Sequence, residues 1–170
     1  MGLDMMLYKA KKQKGIEDKD YLQTLGYDDF KDDEIAYWRK ANEIHRWLFK
    51  NCARRGQHDY DKILVSKDKI LELLLTAYRV KNSIELIDAE IEVGYTYEND
   101  EKKVITRQGK TIKDDTICKK LLPTQSGFFF GSLNYDEFYA QDIDLTIEQL
   151  ENILQSVDFD NEFVFYWASY

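Results

Sequence analysis

The 170-residue chain is poor in the residues that mark several protein classes. It has one proline, Pro123, two cysteines, Cys52 and Cys118, and two histidines, His45 and His58. So little proline beside eight glycines excludes a collagen-like or proline-rich linker chain. The cysteines are far apart, with no Cys-x-x-Cys spacing, which fits a reducing compartment and asks for no disulfide. The histidines and cysteines supply no zinc ligand set at a usual spacing, whereas 32 Asp and Glu are plentiful enough for a Mg²⁺ site. No run approaches about 18 apolar residues, so no membrane span is expected. Met1–Tyr8 is too short for a signal peptide, and Asp4 makes it too acidic. The glycine-rich phosphate loops and the G-x-S-x-G hydrolase turn are also missing, and no internal repeat is present. A cytoplasmic protein without a cofactor is the expectation.

The most informative absence is positive charge. Residues 121–170 carry nine acids and no Lys, Arg or His, whereas residues 1–120 hold all 24 Lys and Arg with 23 acids. The net charge of −8 therefore belongs to the last third of the chain. Hydrophobic residues at 44% and aromatics at 14% exclude disorder, although 33% of residues are charged. The length suits a single domain over residues 1–170.

Leu3–Lys9 is short and apolar and runs into a lysine cluster (Lys9, Lys11, Lys12, Lys14), which predicts a strand followed by a solvated loop. Residues 15–31, with Gly15, Gly26 and many acids, read as loop. Asp32 or Asp33 then caps a helix predicted to reach Ala53, where Arg54-Arg55-Gly56 stops it. Ser66 caps a second helix running to about Asn82. Ile91–Tyr97 and Lys103–Thr106 have strand composition around an Asn99-Asp100 turn and predict a hairpin. Asp114 caps a short helix ended by Pro123, and Phe128–Phe130, lacking alternation, predicts a strand buried on both faces. Tyr135–Val157 is helical by the spacing of Ile143, Ile147, Leu150 and Leu154, and Glu162–Trp167 closes the chain as a strand. The predicted class is α+β: a single sheet with strands from both termini and the Phe128–Phe130 segment, packed by three main helices.

On a wheel of residues 35–53 within that predicted helix, Arg39, Asn42 and Arg46 fall at i, i+3 and i+7 as a polar stripe beside an apolar arc, with His45 one step further in. An arginine fork suits phosphate or carboxylate, an asparagine amide reads a base edge, and Tyr37 or Trp38 could stack on a base. The plainer reading, favoured by residue type alone, makes this a packed helix with Asn42 and His45 bonded to backbone. Trp47, on the polar side of the wheel, is expected to be exposed. Before the last helix, Asn134 is the expected N-cap with Glu137 at N3; Asp136 and Glu137 could instead be ligand contacts or a general base. Gly127 and Gly131 could let the backbone approach a ligand, although glycines flanking a strand are more often turns. Asp142, Asp144, Glu148 and Glu151 give the last helix an acidic face, ordinarily solvated.

Four segments together carry a likeness: Gly2-Leu3-Asp4-Met5, Tyr37-Trp38-Arg39-Lys40-Ala41-Asn42 with Ile44-His45 and Trp47, Leu121-Leu122-Pro123-Thr124-Gln125 with Gly127–Gly131, and Tyr135-Asp136-Glu137 with Tyr139. The chain resembles a family of small proteins encoded by bacteriophages and prophages, over nearly its whole length. Departures are Met6 for the family's usual tyrosine, Phe138 for Trp or Tyr, and Tyr170 for a terminal Trp. The resemblance implies a phage accessory protein acting in the bacterial host cytoplasm. Small phage proteins of this kind often counter host defence, some by sequestering nucleotide signals. The resulting expectation is a binder of a phosphorylated nucleotide-type small molecule, using Tyr37, Trp38, Arg39, Asn42, His45, Arg46 and Asp136, with capture rather than turnover. Self-association is expected, and nucleic acid and membranes are not expected partners. The alternatives are an acidic inhibitor or DNA mimic acting on a host effector protein, and a metal-assisted phosphodiesterase using Asp136, Glu137 and His45.

Overall fold

The computed structural model describes residues 2–170, so Met1 of the Met1–Tyr8 segment lies outside the described residues. The fold is α+β with a main antiparallel sheet. Its strands are β1 (Asp4–Lys11), β2 (Glu34–Arg39), β3 (Ile63–Val65) and β6 (Glu162–Ser169), in the order β2-β1-β6-β3. The two ends of the chain form the centre, with Asp4 opposite Ser169 and Lys11 opposite Glu162. Alternation divides their side chains between two faces. Leu3, Met5, Leu7, Val164, Tyr166 and Ala168 face the larger core, while Met6, Tyr8, Phe163 and Phe165 face a smaller one.

Three helices cover the larger face: α2 (Asn42–Cys52), α3 (Lys67–Ser83) and α5 (Glu137–Ser156). The Ser66 hydroxyl caps α3 by accepting the Lys69 N–H at 3.3 Å. Residues 15–31 are not all loop. They contain α1 (Asp18–Thr24), whose buried Leu22 joins Phe30 over Tyr8 and Phe165. A second, two-stranded sheet is made by β4 (Leu86–Glu98) and β5 (Glu101–Ile112), with Asn99 and Asp100 both at positive φ, as the tight hairpin turn requires. A short α4 (Thr116–Leu121) follows. Both cysteines are free.

Three further sequence expectations fail. The helix predicted from Asp32 or Asp33 to Ala53 is a strand, a sharp turn and a shorter helix. Residues 35–39 alternate in exposure and pair with β1, and Lys40 turns the chain at φ 62° before α2 begins. Phe128–Phe130 is a turn outside the sheet, with Phe128 79% exposed and only Phe130 buried. Gly127 and Gly131 explain it. A Cβ on Gly127 would lie 2.5 Å from the Phe130 ring, and Gly131 has φ 93° with its Cβ position 3.0 Å from the Lys40 Cβ. Trp47 is buried rather than exposed, joining Ile44 and Leu48 in the larger core.

Candidate functional site

Breaking the predicted helix at Lys40 dissolves the stripe of Arg39, Asn42 and Arg46. Arg39 projects from a strand, where its Nη1 donates to Asp4 Oδ1 at 3.1 Å. Tyr37 donates its hydroxyl to the same carboxylate, and its backbone N–H goes to Gln149 Oε1 at 2.6 Å. Trp38 is fully buried and donates its indole N–H to Thr146 Oγ1 at 2.9 Å, tying β2 to α5. Its ring is therefore not free to stack on a ligand. Asn42 has every partner it needs: Nδ2 donates to the carbonyls of Phe130 and Ser132, at 3.0 and 2.9 Å, and Oδ1 accepts the Gln125 N–H at 2.7 Å. It pins the 125–132 loop from within the core. His45 sits in the core too, its Nδ1 2.7 Å from the Tyr166 hydroxyl. Burial lowers its pKa and favours the neutral ring. Asn42 bonds backbone groups, as the packed reading has it; His45 is packed in the core, but its partner is the Tyr166 side chain and not backbone. Arg46 is exposed.

Of the seven residues expected at a binding site, Arg39 and Asp136 line one cleft of about 260 Å³. The β2–α2 junction contributes Arg39, Lys40 and Glu43; the pinned loop contributes Gly131 and Ser132; the first turns of α5 contribute Asp136, Phe138 and Asp142. Asp136, not Asn134, is the N-cap of α5, with Oδ1 accepting the N–H groups of Phe138 at 2.9 Å and Tyr139 at 3.3 Å. Its other oxygen, Oδ2, is buried without a hydrogen-bond partner among the described residues.

Glu43 was not anticipated as a site residue. It is 2% exposed, and its Oε1 likewise has no partner among the described residues. Burial pushes its carboxyl well up, with repulsion from Asp142 adding to the effect. Asp142 is itself pushed up to about 7 by burial and then by the charge of Asp136. Three carboxyl groups thus crowd one cleft, and two of them, Glu43 and Asp142, are held toward their protonated forms. The sequence signal for Glu43 was weak: in the helix predicted to reach Ala53 it lies in the interior, where an acid is ordinarily solvated. Its burial depends on the turn at Lys40.

Above the acids, Arg39 and Lys40 give the rim positive charge, and the Phe138 ring, 41% exposed, stands at the side with the Arg107 guanidinium 5.4 Å from its centroid. The arrangement offers two buried carboxyl oxygens without partners among the described residues, an aromatic face, and cations for an anionic group. Among the described residues no group of three or more His, Cys, Asp or Glu is placed to hold a metal ion. Asp136, Glu137 and His45 are dispersed: Asp136 caps α5, Glu137 pairs with Arg107, and His45 bonds Tyr166. The acidic face of α5 is divided as well. Asp142 turns into the cleft, Asp144 pairs with Lys81 at 2.7 Å, and Glu151 accepts the Tyr78 hydroxyl. Among the described residues no helix is long and apolar enough to cross a membrane. Compared with protein-family models, curated proteins and solved structures, the chain matches none.

Proposed function

We propose that the chain binds and sequesters a phosphorylated nucleotide-type small molecule in the cleft between the β2–α2 junction and the start of α5. In a phage setting, in the host cytoplasm, such capture would withdraw a defence signal. One observation carries the reading: Glu43 and Asp136 line a cleft rimmed by Arg39 and Lys40, and each has a buried carboxyl oxygen with no hydrogen-bond partner among the described residues. A buried polar group left unpaired costs roughly 1–3 kcal/mol, so a ligand edge rich in N–H groups relieves a deficit already present in the free protein. The exocyclic amines of nucleobases are such donors, Phe138 offers a stacking face, and the rim cations suit phosphate. The cleft is formed within one chain, so binding does not wait on a second subunit.

Calorimetric titration with cyclic mono- and dinucleotides and ADP-ribose derivatives tests the reading. At least one is expected to bind, with affinity reduced tenfold or more in Arg39→Ala. Mass spectrometry after denaturation is expected to return the ligand intact, which separates capture from phosphodiester cleavage. Absence of binding to every candidate, or equal binding in Arg39→Ala, would falsify it.

A further inference from the structure

A second depression, of about 170 Å³, adjoins the first. The two share Glu43, and they meet again across one peptide bond, Pro123 lining the second and Thr124 the first. Its character is the opposite of the acidic cleft. On α2, Glu43, Arg46, Trp47 and Lys50 are spaced i, i+3, i+4 and i+7 and so share one helix face. Lys120, from the last turn of α4, closes the other side. Arg46, Lys50 and Lys120 are exposed, and none makes an ion pair among the described residues. Glu43 is the only carboxylate in this lining, and it is buried without pairing to them. Three cations thus converge on a hollow that holds no compensating charge.

The first cleft, at about 260 Å³, falls just below the roughly 300–1,000 Å³ usual for small-molecule sites. A ligand larger than a nucleoside monophosphate needs adjoining space, and the adjoining space is cationic. We infer that this depression between α2 and α4 takes the phosphate chain of the ligand whose other end lies in the acidic cleft. The ligand class is then a nucleoside polyphosphate or a phosphate-bridged dinucleotide rather than a monophosphate. The inference rests on the nucleotide reading of the first cleft. The depression's own preference for phosphate stands on Arg46, Lys50 and Lys120 alone, which lets the two be tested apart.

The experiment uses the full chain and two kinds of probe. Inorganic tripolyphosphate, followed by ¹H–¹⁵N correlation spectra, reports on the depression without a base. It is expected to shift the resonances of Arg46, Trp47 and Lys120, with affinity lost tenfold or more in the Arg46→Glu/Lys120→Glu double variant. Adenosine and guanosine mono- and triphosphates, titrated by calorimetry, report on the joined site. For the nucleoside that binds, the triphosphate is expected to bind at least tenfold tighter. That gain should vanish in the double variant while monophosphate affinity is kept; Arg39→Ala should weaken both forms alike. Both substituted side chains are exposed, and a wild-type circular dichroism spectrum verifies the fold. Tripolyphosphate binding with no nucleotide binding upholds the phosphate site and overturns the nucleotide reading. Nucleotide binding with equal mono- and triphosphate affinities, or with a triphosphate gain that survives in the double variant, overturns the polyphosphate inference and leaves the first cleft standing.

Discussion

Asn42 and the cleft acids make opposite contributions at the scale of single residues. Asn42 is a polar group with all its partners, and removing it strands two carbonyls and one N–H of the 125–132 loop, the Phe130 carbonyl buried and the others partly so. Asn42→Ala is therefore expected to cost about 2–4 kcal/mol, seen as a lower urea midpoint. Asn42→Asp should do no better, because a carboxylate oxygen would then face the Phe130 and Ser132 carbonyls. The acids predict a pH dependence. Asp142 is held at about 7 against an ordinary 3.8, so the unfolded chain gives up that proton first as pH rises. Between about pH 4 and pH 7 the folded state binds more protons, and stability falls with rising pH; Glu43, also raised, acts in the same direction. Asp158 and Glu162, whose carboxyls are held low by hydrogen bonds, act oppositely. The comparison with Asp142→Asn isolates the effect: urea midpoints between pH 4 and 7.5 should decline less steeply in the variant. An unchanged slope would show that Asp142 ionises normally.

At the scale of elements, the turn at Lys40 decides what the site contains. A lysine at φ 62° sits in the left-handed region, which costs a side chain with a Cβ roughly 1–2 kcal/mol and costs glycine little. Lys40→Gly is expected to leave stability unchanged or raise it by up to about 1 kcal/mol, whereas Lys40→Val should lower it by more than 1 kcal/mol. Thermal melts of the two variants make the comparison, and a destabilised Lys40→Gly would show that the side chain, not the backbone, holds this turn. The same turn explains where sequence reading succeeded and where it failed. The helix α3, the α5 stripe of Ile143, Ile147 and Leu150, and the β4–β5 hairpin each declare themselves by local periodicity or turn chemistry. Residues 35–53 do not. Good helix formers such as Ala36 and Arg39 lie in β2, its alternation lasts only to Arg39, and the break falls on a lysine where a glycine or asparagine would have marked it. Since Glu43 joins Asp136 and Asp142 only because of that break, the acidic cleft was illegible while Arg39 and Asp136 were visible as separate candidates.

At the scale of the whole molecule, stability and exposure are divided between two sheets. The main sheet joins both ends of the chain and covers both of its faces. The hairpin instead reaches away from the core: Tyr95, Tyr97, Val104 and Ile105 are all at least 47% exposed, and the hairpin's buried anchors are Ile112 at its base and Ile91 midway along it. A two-stranded ribbon is marginal alone in water, so the outer half adds little to folding free energy. The base behaves differently, because Ile112 donates its N–H to the Tyr135 carbonyl and Arg107 pairs with Glu137 beside the cleft. Replacing residues 94–105 by a two-residue Asn-Gly turn is thus expected to keep the thermal midpoint within a few degrees and to preserve ligand affinity in the cleft. Extending the cut to remove Arg107 should weaken binding, since the guanidinium over the Phe138 ring goes with it. Hydrogen exchange on the intact chain offers an independent check, with fast exchange in residues 94–105 and slow exchange in β1 and β6. A large loss of stability from the shorter cut, or strong protection at the hairpin tip, would mean that the arm is covered in solution and that the fold extends to a contact beyond the single chain.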